Sequence, residues 1–149
     1  MLIENTRANR DAYIWDHIPD IETLTAVRMT AMNRFLDDFE EGKSQGRYRV
    51  GALPELDFQN RHFDLVLCPH SLFTYTEQLN DAFHVAAVRE MVRVGRDLRI
   101  FPLLDLNGEF SRHVAPVEAA LQEDGHTTER IKVDYEFQKG GNEYLRIAG

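Results

Sequence analysis

The stretch FDLVLC, residues 63–68, decides the fold, because it is an almost continuous apolar run of strand length. Such a run predicts a buried β-strand that is covered on both faces. Downstream, the apolar pattern predicts a helix over Gln78–Val94, with Thr74 and Glu77 spaced as a capping box and Gly95 just past its end. The run LRIFPLL, residues 98–104, then predicts a second buried strand.

The rest of the carboxy-terminal region continues this alternation. A helix is predicted over Val114–Glu123, and strands over Arg130–Phe137 and Glu143–Ala148 form an antiparallel hairpin around the turn at 140–142. We therefore expect an α/β fold with a mainly parallel sheet and one antiparallel strand at its edge. Ligands of such sheets bind beyond the carboxyl ends of the strands, which directs attention to residues 68–70 and 105–108.

Helices are predicted to precede this sheet. Residues 1–17 form a short helix or an arm, and the clearest helix runs over Ile21–Glu41 with Asp20 as its N-cap. Its apolar residues share one face: Leu24, Val27, Ala31, Phe35 and Phe39. We expect a helical segment over 1–46 and one α/β unit over 47–149, which starts with a weak strand at Tyr48–Ala52.

Composition excludes several classes of protein. The 149 residues carry 17 basic and 25 acidic side chains, a net charge of −8, which disfavours a nucleic-acid or anionic-membrane surface. One cysteine excludes an internal disulfide framework and a cysteine-based zinc site, and the histidines lack the spacing of a metal site. No transmembrane run or signal-peptide core is present, so we expect a cytoplasmic protein.

Two candidate residues allow alternative interpretations. Cys68 is either a small apolar core residue or a nucleophile with His70 as its base, since alternate residues of an extended chain point to one side. His70 either packs in its loop or contacts a substrate. Similarly, Asp105, Asn107 and Gly108 form either a tight turn or the polar rim of a ligand crevice.

Four segments together resemble the carboxy-terminal part of a class I S-adenosylmethionine-dependent methyltransferase. They are GALPELDF (51–58), FDLVLCPHSLF (63–73), VREMVRVGRDLRIFPLLDLNG (88–108) and YEFQKGGNEYLRI (135–147). The resemblance implies a truncated Rossmann-like sheet, with strand order 3-2-1-4-5-7-6 in the full fold. The family's first two strands, with the glycine-rich turn and the acidic residue that hold the cofactor, have no counterpart in this sequence.

The resemblance also implies site residues. Those implied to bind substrate are His70, Ser71, Asp105, Asn107 and Gly108, and those implied to bind cofactor are Gly51, Ala52, Leu53, Cys68 and Pro69. Ala52 departs from the family pattern, which usually has an acidic residue there. S-adenosylmethionine is therefore expected from the resemblance alone, and we do not expect the isolated chain to bind it.

Removal of strands 1 and 2 leaves strand 63–68 as an apolar edge, which is a template for pairing. We expect a homodimer through this edge or through the amino-terminal helices. Two hypotheses for function follow. The chain is either the substrate-side half of a methyltransferase, inactive alone, or a non-catalytic homodimeric interaction module derived from one. A new small-molecule pocket at the dimer interface and a Cys-His hydrolase are weaker alternatives.

Overall fold

The computed structural model describes residues 2–148, and the chain divides into two compact units between Val50 and Gly51. The first unit contains helices α1 (Leu2–Ala8) and α2 (Ile21–Ser44), with a 3-10 turn at Arg10–Ala12 between them. The second unit contains, in chain order, β1 (Phe63–Pro69), a 3-10 turn (Leu72–Tyr75), α3 (Asp81–Val94), β2 (Gly95–Phe101), α4 (Val114–Glu123), β3 (Thr127–Lys132) and β4 (Glu143–Ala148).

The four strands form one mixed sheet in the order β1-β2-β4-β3. β1 and β2 are parallel, and β4 runs antiparallel to both β2 and β3. The prediction that the antiparallel strand lies at the edge is wrong. β4 instead inserts between β2 and β3 and pairs with both. The two edge strands of the sheet are β1 and β3.

One face of the sheet supports the hydrophobic core. Leu98 lies opposite Val66 on β1 and opposite Ile147 on β4, so these side chains share a face. Helices α3 and α4 both contact the sheet and each other. The sheet and the two helices contribute the fully buried Ala87, Val88, Leu98, Ile100, Val117, Leu121, Leu145 and Ile147 to one cluster.

The other face of β1 differs from the sequence prediction. Leu65 and Leu67 alternate with Val66 and Cys68, and they remain 44% and 62% exposed. The strand is therefore not covered on both faces. An apolar run indicates that a strand can be covered on both sides, whereas the packing of α3 and α4 on the side of Val66 decides which side is covered within this unit.

Helix α3 begins later than its sequence pattern predicts. The N-cap is Asn80, whose side chain accepts a hydrogen bond from the backbone N–H of Phe83 at 2.9 Å, so the predicted capping box of Thr74 and Glu77 is wrong. The helix passes directly into β2 at Gly95, where a Cβ atom would lie 2.4 Å from the Val66 side chain. This close approach requires glycine.

The carboxy-terminal strands form as predicted in kind, with one shift. α4 and β4 have the predicted bounds, whereas β3 runs over Thr127–Lys132 rather than Arg130–Phe137. Beyond it, the Glu136 carboxylate accepts hydrogen bonds from Gly140 N and from the Asn142 side chain at 2.8 and 2.7 Å and so closes the loop. The weak strand predicted at Tyr48–Ala52 is absent from the described structure, where Ala52 forms only an isolated bridge with Glu55.

Helix α2 starts where the sequence predicts. The Asp20 carboxylate accepts a hydrogen bond from Thr23 N at 2.6 Å, which caps the helix. The predicted apolar face is buried only at its amino end, since Leu24 is 2% exposed while Val27 and Phe35 are 53% and 46% exposed. None of the helices in residues 2–148 is long and apolar enough to cross a membrane.

Candidate functional site

The loops that follow β1 and β2 meet at one end of the sheet, because parallel strands place their carboxyl ends at the same edge. The His70 N–H donates to the Phe101 carbonyl at 2.6 Å, and the Leu106 N–H donates to the Thr74 carbonyl at 3.1 Å. These two bonds join the loop after β1 to the segment after β2. The structure therefore brings the two groups of implied substrate residues, around His70 and around Asp105, to the same edge.

The backbone of the first loop is held in an unusual conformation. His70 and Leu72 both have φ of +48°, a left-handed region that residues with a Cβ rarely adopt. Leu72 is buried, which anchors the loop, whereas the His70 ring is exposed and lies edge-on to Phe101 at 5.7 Å between centroids. Strain of this kind is concentrated at functional sites. The His70 backbone conformation leaves the imidazole exposed at this edge of the sheet.

The second loop is organised by Asp105. This carboxylate is 8% exposed, and its Oδ1 accepts hydrogen bonds from Asn107 N at 2.8 Å and Glu109 N at 3.0 Å. Gly108 has φ of +83°, and a Cβ atom there would lie 3.1 Å from the Gln138 amide nitrogen. Asp105 and Gly108 thus form a tight turn, and Asn107 within it is exposed.

The residues implied to bind cofactor do not form one polar site. Gly51, Ala52 and Pro69 are exposed, whereas Leu53 packs against the core cluster that includes Cys68. Burial raises the pKa of the Cys68 thiol, partly opposed by a hydrogen bond with Ser71. A buried thiol with a raised pKa is a poor nucleophile, so Cys68 acts as a core residue.

Arg93 holds the loop that precedes β1 through hydrogen bonds, a role that the sequence did not predict. Its guanidinium donates to the carbonyls of Phe58 and Leu56 at 2.8 and 3.0 Å and to both carboxylate oxygens of Glu90 at 2.7 Å. Glu90 in turn accepts from Leu56 N at 2.7 Å, and Arg93 lowers its pKa. The spacing of Glu90 and Arg93, three residues apart on one helix, is the signal that could have indicated the pair.

A buried pair of histidines lies behind the first loop and was also missed. His84 and His113 stack with centroids 4.1 Å apart. The His84 nitrogens contact the carbonyls of Asn80 at 2.9 Å and Leu72 at 3.2 Å. His113 contacts the Asp81 carboxylate at 2.5 Å and the Thr76 carbonyl at 2.9 Å. Burial lowers the pKa of His84. Only the fold brings these two residues together, so no local sequence signal indicates the pair.

Two surface cavities lie elsewhere. One of about 390 Å³ is lined by residues that include Arg61, Arg93 and Gly95, and one of about 500 Å³ by residues that include Leu56 and Glu90. Gly95 begins β2, so the first cavity lies at the opposite end of that strand from Phe101. In the described part of the chain, no group of three or more His, Cys, Asp or Glu side chains is placed to hold a metal ion.

The fold and this edge define an α/β protein with a four-stranded mixed sheet and a polar, strained loop edge. No family model and no solved structure matches the chain. The chain is similar to the uncharacterized protein MJ0045 of Methanocaldococcus jannaschii, with 30% identity over 138 residues. The match covers 93% of this chain but 59% of the relative, so the chain spans less than two thirds of the relative's length.

Proposed function

We propose that residues 51–149 are the substrate-side half of a class I S-adenosylmethionine-dependent methyltransferase fold. The strand order carries this proposal. The resembled family orders its strands 3-2-1-4-5-7-6, and without strands 3, 2 and 1 the remainder is 4-5-7-6. The observed order β1-β2-β4-β3 has the same pattern, in which the last strand of the chain inserts antiparallel between the two before it.

The loop edge supports the same proposal. Ligands of α/β sheets bind beyond the carboxyl ends of the strands, and the strained His70 lies at that edge with its ring against Phe101. Tyr135, 44% exposed, lies 6.3 Å from Phe101 between ring centroids. These rings and the exposed Asn107 offer apolar and polar contacts that would orient a methyl acceptor. Orientation is the main contribution that a protein makes to direct transfer between two bound groups.

The residues of this chain do not by themselves fit the cofactor. The sequence contains no G-x-G-x-G turn to approach the methionine portion, and of the implied cofactor residues Cys68 is buried in the core. The acidic residue that would accept the ribose hydroxyls has no counterpart in this sequence, and Ala52 stands where the family usually has another acidic residue. We therefore assign this chain only the binding and orientation of the acceptor, and we assign the cofactor to another polypeptide segment.

Calorimetric titration with S-adenosylmethionine tests the proposal when it is run on three proteins. We expect the archaeal relative to bind with micromolar affinity and the present chain to show no binding. A chimera in which the present chain replaces the matched 138-residue segment of the relative should bind like the relative. Circular dichroism must show that the chimera is folded. Failure of the relative itself to bind the cofactor would refute the methyltransferase proposal.

A non-catalytic interaction module is the second candidate. The exposure of Leu65 and Leu67 on an edge strand favours it, because an apolar strand edge is a template for association. The same titration separates the two candidates. If neither the relative nor the chimera binds S-adenosylmethionine, while the present chain self-associates, the interaction module is the better description.

A further inference from the structure

The outer edge of β1 is open. β1 is the first strand of the sheet, it pairs only with β2, and no strand among residues 2–148 pairs with its other side. Leu65 and Leu67 project from one face of this edge, 44% and 62% exposed. An edge strand with unpaired backbone groups and exposed leucines is a pairing surface. Natural proteins commonly protect such edges with lysine, proline or a bulge, and of these β1 has only Pro69, its last residue.

We propose that β1 pairs antiparallel with β1 of a second copy of this chain, about a two-fold axis that passes through Val66. In this register Val66 faces its own copy, and Leu65 of each chain faces Leu67 of the other. Residues directly opposite each other in an antiparallel pair lie on the same face of the sheet. The pairing therefore gathers the four exposed leucines into one cluster and joins two four-stranded sheets into one continuous sheet.

The edge fits a second copy because its sequence is complementary to itself. A two-fold axis requires each patch to match itself, and the alternation of Leu65, Val66 and Leu67 meets that requirement. Charge does not oppose the pairing. The only charged residue of β1, Asp64, already pairs with Arg96 at 3.3 Å. The two Asp64 residues would be about 14 Å apart along the strands, beyond the screening length of about 8 Å.

Light scattering on the purified chain across a micromolar concentration series tests the association. We expect a mass of twice 17.3 kDa for the wild type and 17.3 kDa for Leu67→Lys. Leu106→Lys is the matched control, because Leu106 is 60% exposed but lies outside the sheet. It should remain dimeric. A monomeric wild type, or a Leu67→Lys variant that remains dimeric, would overturn the proposal.

Disulfide trapping tests the register and does not depend on the lysine variant. In a Cys68→Ala background, Leu65→Cys and Leu67→Cys are each prepared alone and then mixed under oxidation. The proposed register predicts a covalent dimer in the mixture and little in either variant alone, since each new thiol faces the other position. A dimer that never forms this cross-link uses another surface, such as the exposed apolar residues of α2, and would also overturn the proposal. The pairing uses the edge of β1 at which the missing strands of the methyltransferase proposal would add, so one chain cannot hold both at once. Light scattering and cross-linking test the pairing on the present chain alone, whereas titration of the relative and the chimera tests the methyltransferase proposal, so the failure of one is distinguishable from the failure of the other.

Discussion

Replacement of His84 by phenylalanine is expected to destabilise the protein at neutral pH and to matter less as the pH falls. The His84 ring is fully buried between Phe73, at 5.6 Å, and His113, at 4.1 Å between centroids. Phenylalanine keeps a ring in this stack but has no nitrogen. The contacts of His84 with the carbonyls of Asn80 and Leu72, at 2.9 and 3.2 Å, are lost.

The magnitude follows from the protonation state of His84. A neutral imidazole has one N–H, so only one of the two carbonyls receives a hydrogen bond, and its loss costs about 1–2 kcal/mol. Burial is the main cause that lowers the pKa of His84 below its usual 6.5, and the charge of His113 also lowers it. The unfolded chain therefore takes up a proton at this residue before the folded chain does. Wild-type stability falls as the pH drops below about 6.5, by about 1.4 kcal/mol for each unit of lowering.

The His84→Phe variant lacks this proton and therefore lacks that loss. Urea denaturation followed by circular dichroism, at about pH 8 and about pH 5, gives the difference in unfolding free energy between wild type and variant. We expect the difference to be about 1–2 kcal/mol at the higher pH and to shrink at the lower one. A difference that stays constant or grows on acidification refutes the reasoning. The control is His62→Phe at an exposed ring, where we expect a change below about 0.5 kcal/mol.

Four further substitutions test the packing and the cap of α3. Gly95→Ala should destabilise by about 1–3 kcal/mol in thermal unfolding, because the new Cβ would lie 2.4 Å from the Val66 side chain; unchanged stability would contradict this contact. Asn80→Ala should cost about 1 kcal/mol as a lost N-cap. Thr74→Val should be neutral or stabilising, because the Thr74 hydroxyl is buried and no group within residues 2–148 forms a hydrogen bond with it. Leu145→Ala, at a fully buried position of the core cluster, should cost about 2–5 kcal/mol in urea denaturation, and a smaller loss would place Leu145 outside the core.

Local signals account for what the sequence predicted well. α4 and β4 have the predicted bounds, and α2 starts at Ile21 after its Asp20 cap. Helical periodicity, strand alternation and caps depend on neighbours a few residues apart, so one sequence contains them. The convergence of the loops after β1 and β2 was also predictable, because it follows from the direction of two parallel strands.

Long-range packing accounts for what the sequence did not predict. Local patterns put the antiparallel strand at the edge, because the insertion of β4 between β2 and β3 depends on pairing between distant segments, and only the strand order of the resembled family implied it. The stack of His84 on His113 also depends on distant segments. The hydrogen bonds that the Asp105 carboxylate accepts from Asn107 N and Glu109 N show the tight turn, which is one of the two roles that the sequence left open. An apolar run such as 63–68 predicts a strand but does not specify how many of its faces are covered.

A substitution at Leu67 tests whether the face of β1 that is exposed in this chain is also exposed in the longer relative. In this chain Leu67 is 62% exposed, so Leu67→Lys should change the unfolding free energy of a single chain by less than about 0.5 kcal/mol. If the relative adds elements that pack on the face of the sheet from which Leu67 projects, its matching side chain is covered. A lysine there would then bury a charge and cost several kcal/mol. Urea denaturation of both variants, with this chain diluted until it is monomeric, makes the comparison. Equal small losses would mean that the matching face is uncovered in both proteins, and a cofactor half that covers this face could not be assigned to the remaining part of the relative.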